Sequence, residues 1–201
     1  MGAMLAPAAV HEGMRTVWAS VAERYRAYDL VLPGSASFIC QAELCNAYCC
    51  RAYSVSLGDA EADRMHRASG RQLVELLESE DGEPIRLPLA QPYLLKREDN
   101  RCAQLRDSLD CGEYEGRPNA CRLYPHFILF IEAASLRPLH GGRERMARAM
   151  ALALRGEDAA PDCTALLVRH TECPGFTGPP LDETGWLALF DETYRLQYEP
   201  L

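Results

Sequence analysis

Nine cysteines stand in this 201-residue sequence, and their types and spacing suggest chemistry before anything else does. Cys40, Cys45, Cys49 and Cys50 place four thiols within eleven residues, with polar Gln41, Glu43 and Asn46 between them. Cys102, Cys111 and Cys121 follow, and Cys163 and Cys173 close the set. A buried free cysteine behaves as a small hydrophobe. Core packing alone does not explain four so close together among polar residues. Such clustered thiols read as ligands of zinc or iron, which thiolates bind in fours. Gly112, Gly116, Pro118, Pro174 and Gly175 punctuate the later cysteines, and turns of that kind expose backbone N–H groups that can donate to sulfur.

The adjacent pair Cys49–Cys50 adds a constraint. Neighbouring side chains point to opposite faces of a strand and diverge by about 100° on a helix. The pair could therefore serve two metal centres, or one centre across a turn. Arg51, Arg101, Arg117 and Arg122 flank the thiols and could offset the negative charge of a four-thiolate site. Twenty arginines against the single Lys96 also put guanidinium groups nearby by composition alone. His126 could complete a mixed site, and its alternative is a packed histidine at a strand start. His11, His66, His140 and His170 read as surface or core residues, and Glu78, Asp81 and Glu83 as solvated loop acids. Trp18 and Trp186 fall on apolar helix faces and read as core. No Gly-x-Ser-x-Gly elbow, phosphate loop or His-Glu-x-x-His run is present.

A formal charge of −8 and an isoelectric point near 5.2 argue against a nucleic-acid groove or an anionic membrane surface. No run of about 18 apolar residues could span a bilayer. The N-terminus lacks the basic region of a signal peptide, and Gly2 lacks the Ser or Thr of a myristoylation signal because Ala6 stands there. A cytoplasmic location is expected, where thiols stay reduced, and an odd number of cysteines suits a closed disulfide framework poorly. The expected partners are a metal ion or cluster and a protein redox partner.

Several elements must position these residues. Met14, Val17, Trp18, Val21, Tyr25 and Tyr28 keep helical spacing and predict a helix over 14–29, which the turn at Leu32–Ser35 ends. A second helix is expected from Asp59, and Glu78–Pro84 reads as a loop. Short β-like runs follow at Tyr93–Leu95, Cys102–Leu105 and Phe127–Ile131. Helix returns over Arg145–Arg155 with Gly156 as its stop, and a last helix, 182–198, opens at Asp182. The expected architecture is mainly α with a small irregular β-containing cysteine-rich centre, one compact α+β domain over residues 1–201.

The cysteine order, with the segment Arg117-Pro118-Asn119-Ala120-Cys121-Arg122-Leu123-Tyr124-Pro125 and the turn Cys173-Pro174-Gly175, resembles the YkgJ-like family of zinc- or iron-chelating cysteine-cluster proteins. The likeness spans about residues 38–175. Its usual first motif is Cys-x2-Cys-x2-Cys-Cys, whereas this chain has Cys-x4-Cys-x3-Cys-Cys, closer to the cysteine region of flagellin lysine-N-methylases. The resemblance implies metal ligation by Cys40, Cys45, Cys49, Cys50, Cys102, Cys111, Cys121 and Cys173. Eight thiols make two four-thiolate sites, or one site with spare thiols, and Cys163 is either a further ligand or a core residue. An iron–sulfur cluster, with [4Fe–4S] among its forms, in a redox, iron-handling or accessory role is the first expectation. A lysine methylase using S-adenosylmethionine and a zinc-stapled structural or interaction module are the alternatives. The family is defined by its cysteines rather than by one reaction, so catalysis stays open.

Overall fold

The computed structural model describes residues 5–139, 141–157 and 161–198, so Gly2 and His140 lie outside the described residues. Helix α1, Pro7–Val21, opens on a proline, which loses nothing in a first turn where the N–H has no helical partner. A 3-10 turn, Ala22–Tyr25, tightens its end, and strand β1, Tyr28–Leu30, follows. The helix expected over 14–29 therefore begins earlier and stops earlier. Tyr28 keeps helical spacing in the sequence, yet its backbone pairs with a distant strand, and that tertiary pairing overrides the local pattern.

The chain continues through α2, Ala42–Cys45; α3, Tyr48–Ala52; β2, Ser56–Leu57; α4, Asp59–Ser69; and α5, Leu73–Leu76. Besides β2, further two-residue strands lie in this part: β3, Ser79–Glu80; β4, Glu83–Pro84; β5, Tyr93–Leu94; β6, Arg97–Glu98; and β7, Arg101–Cys102. Then come α6, Asn119–Leu123; β8, His126–Glu132; α7, Arg143–Arg155; β9, Cys163–His170; and α8, Glu183–Tyr198. The mixture is α+β, helices with small sheets. Its described residues gather into two compact units, one formed by the chain up to Phe38 with Tyr124–Tyr198, the other by Ile39–Leu123. No helix among the described residues is long and apolar enough to cross a membrane.

In the first unit an antiparallel sheet runs β1-β9-β8, with Leu30 opposite Val168 and His126 to Glu132 opposite Arg169 to Cys163. Strand β9 is central and buried on both faces from Ala165 to Val168, so its apolar residues run without alternation. Helices α1 and α7 pack on β9 and α8 on β8. Trp186, fully buried, donates its indole N–H to the Val31 carbonyl at 2.8 Å. Asp182 caps α8 by accepting from Gly185 N–H at 2.7 Å, and Gly156 ends α7 at φ +69°, a conformation that favours glycine.

The second unit is built from short pieces around Leu57, Ala62, Met65, Leu76, Leu77, Leu95 and Cys102. Strands β3 and β4 pair across Asp81 and Gly82, and β6 and β7 across Asp99 and Asn100. Both turns have two successive residues at positive φ, the form whose twist matches a tight hairpin. Residues Glu78–Pro84, expected as a loop of solvated acids, therefore include a hairpin. Asp81 and Glu83 are exposed, but Glu78 accepts the Arg97 backbone N–H at 2.9 Å.

Candidate metal centre

Three segments of the second unit carry the thiols. Cys45 ends α2, Cys49 and Cys50 lie on α3, and Asn46 and Ala47 join the two helical turns with φ of 51° and 50°. Ala47 is buried, and holding a non-glycine residue in the left-handed region costs about 1–2 kcal/mol. Strain at such a turn persists only where the surroundings fix it. The second segment is the β6–β7 hairpin with the loop after it: Cys102 ends β7, and an isolated bridge sets Leu105 opposite Cys111. Gly112 N–H donates to the Gln104 carbonyl at 2.7 Å and keeps that loop folded back. The third segment is α6, which carries Cys121.

Two residues away from the cysteines tie these segments together. The Arg97 guanidinium donates to the carbonyls of Arg51 and Tyr53, at the end of α3, and to Asn100 in the hairpin turn. The Glu61 carboxylate, buried in α4, accepts from Gly58 N–H at 2.9 Å and from Asn119 N–H at 2.6 Å. It thus caps its own helix and the start of α6. Arg64 adds a bond to the Arg117 carbonyl at 2.7 Å and one to Asn119 Oδ1 at 3.0 Å. A five-residue helix cannot stand alone, so these contacts fix where Cys121 lies. The sequence carries one sign of Glu61, a Gly-x-x-Glu start before Ala62 and Met65, in the form of a capping box. It carries none of Arg97, whose carbonyl partners on α3 lie more than forty residues away.

Five thiols come within electrostatic reach of one another. The Sγ atoms of Cys49 and Cys50 are 3.9 Å apart. Their shared hydrogen bond holds Cys49 down at about 7 and pushes Cys50 up. Burial raises Cys102 and Cys111, and it pushes Cys121 up to about 12, with the charges of Cys102, Cys111 and Cys49 adding to that rise. Buried like charges resist ionising together, and a cation among them removes the penalty. Arg117 favours the thiolates of Cys49, Cys111 and Cys121, Arg97 that of Cys102, and Arg106 that of Cys111. Of the four arginines singled out by position, Arg117 therefore acts on the thiols, while Arg51 donates to the Asn46 carbonyl and Arg101 faces Asp107.

Cys40 is exposed, and the Cys45 thiol points to the Ala42 carbonyl at 3.6 Å. Cys163 is fully buried in the apolar core of the first unit, where its thiol faces the Arg145 carbonyl at 3.4 Å. Cys173 is half-buried in that same unit, its N–H directed at the His170 carbonyl. His126 opens β8 between the rings of Phe38 and Phe176, and burial pushes it down to about 4. None of the nine cysteines forms a disulfide.

A tetrahedral ion with metal–sulfur bonds of about 2.3 Å sets its thiolates about 3.8 Å apart, the spacing of the Cys49–Cys50 pair. The Cys49–Cys50 separation of 3.9 Å matches one edge of such a tetrahedron. Among the described residues no three His, Cys, Asp or Glu side chains already surround one point. An ion held by this pair would have to draw further thiols to it, and the donor set would suit a soft or borderline metal.

A cysteine-rich, metal-chelating module is the class these features define. The model of the CxxCxxCC family, described as "Putative zinc- or iron-chelating domain", matches residues 39–145, and the chain belongs to that family. The match takes in seven of the nine cysteines and leaves out Cys163 and Cys173. No curated protein and no solved structure matches the chain.

Proposed function

We propose that the chain chelates one zinc or iron ion with four thiolates drawn from Cys49, Cys50, Cys102, Cys111 and Cys121. The 3.9 Å separation of Cys49 and Cys50 carries the reading, since two thiolates of one ion take that spacing. Adjacent residues that share one ion also remove the need for two centres. In a [4Fe–4S] cubane each iron takes a single cysteine, which sets the ligand sulfurs farther apart than this pair. A two-iron cluster, with two thiolates on each iron, is the second reading, and the same spacing favours it over the cubane.

The ion's role is to hold together segments that cannot fold alone, and iron would add redox chemistry to that role. Anaerobic purification with metal analysis and an absorption spectrum tests the assignment. One zinc per chain and no colour supports the single-ion site. About two irons and two sulfides per chain, with broad visible absorption, support the two-iron reading. A folded chain that takes up neither metal overturns both.

A further inference from the structure

We infer that Arg97 is the positioning residue of this metal centre, clamping the helix of Cys49 and Cys50 to the hairpin of Cys102. The inference rests on the thiolate site proposed above. Arg97 leads β6, while Cys102 stands opposite it in β7. Its side chain reaches back to α3, where the carbonyls of Arg51 and Tyr53 lie at the helix end, the Arg51 oxygen at 2.6 Å. Carbonyls in the last turn of a helix lack intrahelical donors, and this guanidinium supplies donors at that end of α3. The same guanidinium binds the Asn100 carbonyl, inside the two-residue turn that sets the register of Cys102. One planar fork thus spans three carbonyls on two ligand-bearing elements. Its own place is fixed by Glu78, which accepts its backbone N–H. An ammonium group is a compact point donor on a flexible stem and cannot bridge the three in that fixed geometry.

Among the described residues no backbone hydrogen bond joins α3 to β7 and sets the separation of their sulfurs. Arg97 supplies that link, as outer partners of metal sites orient the ligands themselves. Cobalt(II) titration of the full-length chain under anaerobic conditions tests this, because thiolate-to-cobalt absorption counts the bound sulfurs. In the Arg97→Met chain the affinity for cobalt is expected to fall by about 10–100-fold. At saturation the absorption per ion should drop by about a quarter, as one of four thiolates is lost, and match that of Cys102→Ser. A merely structural arginine would lower the melting temperature and leave the full absorption at saturation, and that result overturns the assignment. Should Arg97→Met not fold, Arg97→Lys keeps the charge and a flexible stem and is expected to show both losses. Wild-type affinity with full absorption in Arg97→Lys overturns the clamp directly. A wild-type chain that takes up no cobalt overturns the metal reading itself, whereas equal binding by wild type and variant overturns only the role of Arg97.

Discussion

Cys121 and Cys163 are the same residue type in opposite settings, and their variants should separate ligation from packing. Cys121 lies among thiols whose charges raise it, so Cys121→Ser should lower zinc or cobalt affinity by more than the about 10–100-fold that a supporting contact commands. Cys163 sits among Ala165, Leu167 and Met146 in an apolar core, so Cys163→Ala should leave metal content unchanged. Its cost should be about 1 kcal/mol, read as a fall of about 2–4 °C in melting temperature. Equal metal loss in the two variants would contradict the division. His126 makes a second residue-scale test. Burial holds its folded-state value near 4 against an unfolded value near 6.5, so the unfolded chain takes the proton first as pH falls. The stability at stake is intact above about 6.5 and lost by about 4, at most about 3 kcal/mol. Urea midpoints of wild type and His126→Phe should therefore converge or cross on acidification from pH 7 to pH 4.5. Parallel pH dependence in the two chains would show that His126 contributes nothing of this kind.

At the scale of elements, Glu61 does what no residue of α6 can do for itself. Pro118 precedes α6 and has no side-chain acceptor to offer, so the first N–H of the helix turns to a carboxylate on α4. Glu61→Gln keeps the shape but turns one acceptor into a donor facing an N–H, at a cost of about 1–3 kcal/mol. Chemical denaturation should show that loss, and metal affinity should fall with it because Cys121 moves with α6. Gly116 is a second support, since a Cβ there would stand 3.0 Å from Ala68 Cβ and 3.1 Å from Met65 Cα. Gly116→Ala should destabilise by about 1–3 kcal/mol through that clash. Periodicity made α4, α7 and α8 legible in the sequence, α4 from its start at Asp59, α7 with its stop at Gly156 and α8 with its cap at Asp182. Strand β9 escaped it because Ala165–Val168 is buried on both faces and so lacks alternation, although the run of Thr164 to Val168 between Pro161 and Cys173 has strand composition. The cysteine grouping was legible as chemistry. Which thiols converge was not, because the αL turn at Asn46–Ala47 and the reach of Arg97 depend on contacts distant in sequence.

The two units differ in what holds them. Among the described residues the first has an extended core, in which Trp186, Phe190, Ile128, Ile131, Leu166 and Leu167 are fully buried around a three-stranded sheet. The second buries a much smaller set, Leu57, Ala62, Met65, Leu76, Leu77, Leu95 and Cys102, among two-residue strands and helical turns of four or five residues. Small cores recover less of the entropy lost on folding, and a structural ion commonly supplies the difference. Metal removal should then act unevenly. With a strong chelator present, backbone amides over 39–123 should exchange faster by at least about tenfold, the effect of about 1.4 kcal/mol, while those of β8 and β9 keep their protection. Hydrogen exchange read by mass spectrometry, with and without zinc, distinguishes this from a site that serves only as cargo. A cargo ion would leave exchange in Ile39–Leu123 unchanged after removal. An ion that staples the short elements cannot leave without loosening the hairpin of Cys102 and the helix of Cys121, so those two segments should open first.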